Sequence, residues 1–133
     1  MNMIYIKAYA GALVAFLTID LLWLGVVARG FYRGQLGHLM LDKPNVTAAG
    51  LFYLAYVAIV VFLAVPPAVA NGSWTTAAFY GAILGLFAYG TYDMTNLATL
   101  KDWSVPVVIV DMAWGVCLTA ASATAGYLAT RIL

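Results

Sequence analysis

The sequence predicts an all-α fold, an integral membrane bundle of four transmembrane helices, and two observations lead to this prediction. Hydrophobic residues make up 65% of the 133 residues, and charged residues only 8%. A soluble domain has about 25% charged residues and needs them to cover its surface, so the apolar excess is expected to face lipid. The chain also contains four nearly continuous apolar stretches, each near the length of about 20 residues that a helix needs to cross a bilayer.

The four stretches cover residues 5–28, 48–70, 76–97 and 105–130 of a single transmembrane domain, residues 1–133. Their apolar runs are continuous, whereas the strands of a membrane barrel alternate in polarity. Within lipid every backbone polar group needs a partner inside the protein, which favours helices. The first stretch is too long for a cleavable signal peptide and lacks a cleavage site of small residues, so we expect it to stay as a helix.

The connection between the first and second helices is the longest and contains the run FYRGQLGHLMLDKPN. Apolar residues such as Phe31 and Leu36 alternate there with polar residues such as Arg33 and His38. This pattern predicts a short amphipathic helix in the membrane interface, although an irregular loop with two glycines fits it equally well. The other two connections, residues 71–74 and 101–104, are short polar turns, each with an interfacial tryptophan.

Basic residues are shared unequally between the two sides of the predicted bundle. The first and third connections carry four of them: Arg29, Arg33, Lys43 and Lys101. The opposite side holds two, Lys7 and Arg131, together with the N-terminal amine. Because Lys and Arg are enriched in cytoplasmic loops, this distribution favours a cytoplasmic location for the first and third connections, with both termini outside.

Three of the five acidic residues, Asp20, Asp93 and Asp111, lie inside predicted helices. A charge at the bilayer centre costs about 2.5–3.5 kcal/mol on insertion scales, so such residues face a bundle interior and mark functional sites. Counted from the helix ends, all three lie about 6–12 Å from the same membrane face, at 1.5 Å per residue. The sequence therefore predicts a cluster of three carboxylates on the side of the more charged connections.

Aromatic and polar side chains accompany the aspartates. Six of them lie at helical spacing from an aspartate or at a comparable depth: Trp23, Tyr53, Tyr56, Tyr89, Asn96 and Trp114. Residues three or four apart share a helix face, so we expect the donors on the same helix to bond the neighbouring carboxylate. Together with the three aspartates, these six residues form the predicted ligand-binding site.

No basic residue lies at the depth of the aspartates, since Lys7 and Arg131 are near the opposite face. Close carboxylates without a cationic partner cannot all be ionised. The leading hypothesis is therefore a membrane protein that binds, senses or transports a proton, a cation or a small polar ligand. One alternative is a membrane enzyme that acts on a lipid, with the aspartates as acid/base groups or metal ligands. Another is a structural or assembly subunit without chemistry.

Other partners and groups are constrained less strongly. A net charge of +1 provides no basic surface for nucleic acid, and no HxxxH, CxxC or DxxD spacing indicates a metal site. The sequence predicts no cofactor. Gly81 and Gly85 form a GxxxG motif, which permits close helix contact and, in a bundle with little interior, predicts a homo-oligomer in the lipid bilayer.

Four motifs follow one another over nearly the whole chain: DLLWLG, FYRGQLG, YGTYDMTNLATL and VDMAWG. In this order they resemble an uncharacterised family of bacterial membrane proteins, catalogued as domain of unknown function 2177. The resemblance implies a multi-pass protein of the bacterial inner membrane with four helices. It implies no activity, substrate or site residue, so the chemical hypotheses depend on the residues alone.

Overall fold

The computed structural model describes residues 3–133. Residues 1 and 2 lie outside the described residues. So does the N-terminal amine, which was counted above with Lys7 and Arg131. Five helices follow in chain order: α1 (Met3–Leu22), α2 (Arg29–Leu36), α3 (Val46–Asn71), α4 (Trp74–Thr99) and α5 (Val105–Ile132). A π-helical turn, Trp23–Val27, extends α1, and a 3-10 turn, Gly37–Leu39, follows α2. The described part of the chain contains no strand, so the all-α prediction is confirmed.

Three helical stretches are long and apolar enough to cross a membrane: Met3–Val27, Val46–Asn71 and Val105–Ile132. Helix α4 has 26 residues, as many as α3, but it is not among the three. Its Thr, Tyr and Gly residues and Asp93 make it more polar than α3. The structure thus provides three candidate spans, and the fourth span stays a prediction.

Side chains and a glycine fix the helix ends close to the predicted positions. The Asn45 side chain accepts a hydrogen bond from the Ala48 N–H at 3.0 Å where α3 begins. Gly72 ends the helix in the left-handed conformation, with φ of 62°, which glycine adopts without steric cost. Ser104 caps α5 in the same way as Asn45 caps α3, accepting from the Val107 N–H at 3.2 Å.

Helices α4 and α5 approach closely because glycines line their contact. A Cβ added at Gly81 would lie 2.7 Å from the backbone oxygen of Thr119, and one at Gly85 would overlap the backbone of Gly115. A Cβ at Gly115 would in turn overlap the ring of Tyr89. The GxxxG motif therefore serves a contact within the chain. The predicted homo-oligomer stays a prediction, and this motif is not free to form its interface.

The two ends of the bundle differ in how they are filled. At the end where Lys7 bonds the backbone oxygen of Leu133, the core contains Tyr127, and Tyr5 and Tyr9 pack against it. The other buried core side chains at this end are small or β-branched: Ala8, Ala12, Val61, Ala64, Val65, Ala68, Ala77 and Ala123. The opposite end carries α2 and the larger aromatic side chains, and two cavities lie there.

The predicted amphipathic segment forms helix α2, which folds over the end of the bundle. Helix α1 reaches it through the π-helical turn, in which the Ala28 N–H bonds the Trp23 carbonyl at 2.7 Å. Such turns are rare in proteins, and many of those that occur lie at functional sites. Helix α2 is held to the turn before α5 by Ser104, which donates to the Gln35 side chain at 2.6 Å. A second contact, from Tyr32, belongs to the site.

Candidate functional site

The three aspartates predicted to lie in the membrane are at the same end of the bundle, with Asp111 between the other two. Asp93, on α4, lies beside Asp111 on α5, close enough for the two carboxylates to interact. Asp20, on α1, is also within electrostatic reach of Asp111. Asp20 and Asp93 are buried, and Asp111 is half-buried. The fold thus brings together three carboxylates from three helices.

Several carboxylate oxygens are buried without a partner. Asp20 accepts a hydrogen bond from the Trp114 indole at 3.0 Å through Oδ1, but its Oδ2 has no partner within residues 3–133. Neither oxygen of Asp93 has a hydrogen-bond partner in that range. A buried polar atom left unpaired costs about 1–3 kcal/mol. These oxygens therefore favour a proton, a cation or a donor group as a partner.

A chain of aromatic side chains links Asp20 to Asp111. Beyond the bond to Asp20, the Trp114 ring stacks on Trp23 with 4.2 Å between ring centroids and 8° between planes. The Trp23 indole donates to the Tyr32 hydroxyl at 3.2 Å, and Tyr32 bonds Asp111 Oδ1 at 2.7 Å. An indole N–H can only donate, so the Tyr32 oxygen accepts from Trp23. The Tyr32 hydroxyl hydrogen is then donated to Asp111.

Tyr32 remains a donor at neutral pH. Burial raises the pKa of its phenol above the ordinary value, the bond from Trp23 lowers it, and the nearby Asp111 and Asp93 raise it. The net direction is upward, which favours the protonated form. Helix α2 is therefore attached to α5 by a neutral hydroxyl that donates to a carboxylate.

The predicted hydrogen bonds within a helix are wrong. Trp23 does not bond Asp20, three residues before it, but Tyr32 of α2. Trp114 does not bond Asp111 but Asp20 of α1. Spacing determines which helix face a side chain shares, whereas the indole N–H lies at the far edge of a large ring and reaches a neighbouring helix. The donors therefore join helices to one another.

An aromatic cavity of about 370 Å³ lies among α1, α3, α4 and α5. Six rings and one carboxylate dominate its wall: Phe16, Phe52, Tyr53, Tyr56, Tyr89, Tyr92 and Asp111. Phe16 packs edge-on against Tyr53 and Tyr56, with centroid distances of 5.1 and 5.8 Å. Phe52 and Tyr92 are 66% and 53% exposed, so the cavity opens sideways between α3 and α4.

A second cavity, the arginine cavity, has a volume of about 500 Å³ and lies beneath α2. Its polar wall consists of Arg29, Tyr32, Arg33, Tyr92 and Asp111. The rest of the wall is mainly apolar: Leu24, Gly25, Leu36, Met40, Pro44 and Val107. Tyr92 and Asp111 line both cavities, so the two adjoin at Asp111.

The tyrosines predicted from α3 and α4 line the aromatic cavity. The Tyr53 side chain lies near Asp20, and the Tyr56 hydroxyl forms a hydrogen bond of 2.8 Å with Thr119. Tyr89 lies near Asp20 and Asp111, and it makes no hydrogen bond to Asp93, contrary to the expectation from its spacing.

Asn96 is the one predicted site residue whose side chain makes no hydrogen bond, ring contact or electrostatic contact within the described residues. It lines neither the aromatic cavity nor the arginine cavity. Within residues 3–133 its side chain forms no hydrogen bond, although it is three residues from Asp93. Spacing alone thus placed it on a shared face without bringing its amide to the carboxylate.

A family model matches residues 5–128, and the family is DUF2177, described as a predicted membrane protein. The chain belongs to this family. The resemblance seen in the four motifs is thereby confirmed, and the description agrees with the apolar helices. Neither the curated proteins nor the solved structures compared with the chain contain a match.

In this DUF2177 chain, four aromatic residues of the cavity walls and one glycine next to the predicted Tyr89 were not expected to belong to the site. Phe16 lies four residues before Asp20 and therefore also fits the helical spacing of the site, but its ring has no hydrogen-bond donor. Tyr92 adjoins Asp93 in sequence, whereas Phe52, Tyr32 and Gly115 offer no such signal. Gly115 provides the space for the Tyr89 ring.

Within the described range 3–133, no three His, Cys, Asp or Glu side chains lie close enough together to hold a metal ion. The three carboxylates interact electrostatically without forming a common coordination shell.

Proposed function

We propose that this protein binds an organic cation in its aromatic cavity, with Asp111 as the counter-charge. The observation that carries this proposal is a single carboxylate in a wall of six aromatic rings. Aromatic faces attract a cation within about 6 Å, with about 0.5–2 kcal/mol for each contact. Small inorganic cations need several oxygen ligands. A wall that is mostly carbon therefore suits an ammonium-type ion with apolar substituents.

The unpaired carboxylate oxygens support exchange between this cation and a proton. Asp93 and Asp111 interact, and adjacent carboxylates do not both ionise without a compensating charge. A bound cation provides that charge, and a proton provides it when the cation leaves. The site is therefore suited to sensing or transporting a cation with a proton as the competing ligand.

The proposed route of entry is from the bilayer or from the side that carries α2. The sideways opening between Phe52 and Tyr92 supports entry from lipid. The core of the opposite half consists of Tyr127 and mainly small side chains. Two further cavities, one with Trp74 and Leu128 in its wall and one with Tyr5 and Pro66, share no residue with the aromatic cavity. One protomer thus supports binding from one side rather than a continuous channel.

We also propose that α4 is the fourth span and that the aspartates lie in the cytoplasmic half of a bacterial inner membrane. The length of α4 and its close glycine contact with α5 support the span. The hydrogen bond from Ser104 to Gln35 supports one common side for the first and third connections. That side carries Arg29, Arg33 and two lysines, as cytoplasmic loops do.

Calorimetric titration with benzyltrimethylammonium tests the proposed function. We expect the purified protein in a neutral detergent to bind this ion more tightly as the pH rises, because a proton and the cation compete to neutralise the aspartate cluster. The Asp111→Asn variant should bind it at least about tenfold more weakly. Asp102→Asn is the matched control, because Asp102 is exposed in the turn before α5. No binding by the wild type, or equal binding by Asp111→Asn, would contradict the proposal and favour the structural role.

A lipid-modifying enzyme is a second candidate, since the sideways opening also admits a lipid and Asp93 and Asp111 form an acid/base pair. Incubation in proteoliposomes, followed by lipid mass spectrometry, distinguishes the two candidates. An enzyme should produce a new lipid species that Asp93→Asn abolishes. A binding protein should leave the lipid composition unchanged.

A further inference from the structure

Two exposed cations line the arginine cavity. Arg29 and Arg33 are four residues apart on α2, so they share a helix face, and both line the cavity. Within residues 3–133 neither guanidinium forms an ion pair or a hydrogen bond. Guanidinium groups bind phosphate and carboxylate through paired hydrogen bonds. The cavity is therefore equipped for an anionic group.

A purely anionic ligand leaves Asp111, which also lines this cavity, without a counter-charge. A negative charge placed among the arginines would be repelled by the Asp111 carboxylate. A ligand that carries a positive group next to its negative group avoids this repulsion. The positive group would then lie at Asp111, where the aromatic cavity begins.

We infer that the ligand of this site is a zwitterion with an amine and a phosphate a few atoms apart, the amine at Asp111 and the phosphate at Arg29 and Arg33. This inference rests on the proposed function, because it uses the same cation site. Such a group occurs in the headgroup of an aminophospholipid and in its water-soluble glycerol derivative. The apolar wall formed by Leu24, Leu36 and Met40 accommodates the glycerol and the first methylenes of a lipid.

Native mass spectrometry of the purified protein tests the inference with probes that share their acyl chains. Phosphatidylethanolamine carries both charges, phosphatidylglycerol only the phosphate, and diacylglycerol neither. We expect phosphatidylethanolamine to bind at least about tenfold more tightly than the other two. Glycerophosphoethanolamine has the same headgroup without acyl chains and distinguishes the source of the ligand. If it binds as tightly as phosphatidylethanolamine, the ligand is water-soluble; if it binds more weakly, the ligand is a lipid. Both results support a zwitterion.

The double variant Arg29→Gln/Arg33→Gln should bind phosphatidylethanolamine at least about tenfold more weakly, because the phosphate loses both guanidinium groups. It should bind benzyltrimethylammonium no more weakly, because removal of positive charge does not disfavour a cation. Its matched control is Lys43→Gln/Lys101→Gln, which makes the same change in charge on the same side at two exposed residues outside the cavity. The control should bind phosphatidylethanolamine as tightly as the wild type does.

Two results would overturn the inference. One is equal binding of phosphatidylglycerol and phosphatidylethanolamine, and the other is an equal loss in the arginine and lysine double variants. In either case, retained binding of benzyltrimethylammonium leaves the proposed function intact. Absence of that binding in the wild type overturns the proposed function itself, so the two failures are distinguishable.

Discussion

Asp111 differs from the other two aspartates in its surroundings. Asp20 and Asp93 are buried, whereas Asp111 is half-buried, lines both cavities and accepts a hydrogen bond from Tyr32. It is also the carboxylate that interacts with both of the others. A ligand that binds at Asp111 therefore changes the balance of charge in the whole cluster. The contacts of Asp111 with Tyr32 and with the other two aspartates determine the expected effects of the Tyr32→Phe and Asp→Asn variants.

Tyr32→Phe should loosen helix α2. The change removes the donor to Asp111 and leaves the Trp23 indole without its acceptor. A hydrogen bond to a charged group contributes about 1.5–3 kcal/mol. We expect faster amide hydrogen exchange in residues 29–36 and unchanged exchange in the core of α5. Tyr80→Phe is the control, because Tyr80 is exposed and its hydroxyl has no partner within the described residues. Equal exchange in both variants would refute the attachment.

At least one of the three aspartates should be protonated near neutral pH without a bound cation, because burial and mutual repulsion both disfavour charge. Infrared difference spectra of Asp20→Asn, Asp93→Asn and Asp111→Asn, recorded from about pH 5 to about pH 9, identify the titrating residue. We expect addition of benzyltrimethylammonium to release a proton in the wild type and not in Asp111→Asn. If no aspartate titrates in this range and no cation changes the spectrum, the aspartates only join helices.

At the scale of single residues, the sequence identified the carboxylates and most of the aromatic side chains, because a charge inside an apolar stretch must face the interior. It did not identify the hydrogen-bond partners. Trp23 and Trp114 stack on each other, so each indole N–H points to another element. Such a pair depends on the distance between two helices, which spacing along one helix does not contain.

At the scale of the elements, glycines determine how α4 and α5 pack. Gly85→Ala should destabilise the protein by about 1–3 kcal/mol, because its Cβ would overlap the Gly115 backbone. Gly50→Ala is the control: its Cβ meets no atom within 4 Å, and alanine favours the helix by about 1 kcal/mol. Unfolding in mixed micelles measures both. An equal stability of the two variants would contradict the close contact.

Helices α3, α4 and α5, and α1 together with its π-helical turn, begin and end within about two residues of the predicted positions, because apolar length and capping residues are local properties. The π-helical turn at Trp23–Val27 was not expected. Its sequence, WLGVV, is ordinary for an apolar helix. A π-helical turn holds one residue more than an α-helical turn, and this one lies where α2 folds back over the bundle. The conformation therefore depends on a contact between elements rather than on the local sequence.

At the scale of the whole molecule, the position of α4 decides the topology. Cysteine labelling tests it in a Cys117→Ser background, with Asn71→Cys before α4 and Lys101→Cys after it; both positions are exposed. We expect an impermeant maleimide to label Asn71→Cys in intact cells and Lys101→Cys only after permeabilisation. Labelling of both positions from the same side would show that α4 does not cross the membrane. The reverse pattern would contradict only the orientation.

The two cavities also belong to this scale, and the sequence could not predict them. Each is bounded by at least three elements, and the arginine cavity exists because α2 folds over the bundle. The sequence contained the carboxylates and the rings but not the empty volume among them. Such a volume depends on the angles between the helices, and sequences with the same apolar pattern can pack their helices at different angles.

The central claim is that a cation binds among the aromatic rings beside Asp111. The most direct measurement is a crystal structure with 4-bromobenzyltrimethylammonium, whose bromine is located by anomalous scattering. We expect the bromine peak in the aromatic cavity and the ammonium beside Asp111, within about 6 Å of the surrounding ring centroids, with no peak in Asp111→Asn. A peak elsewhere, no peak in the wild type, or an unchanged peak in Asp111→Asn would contradict the account.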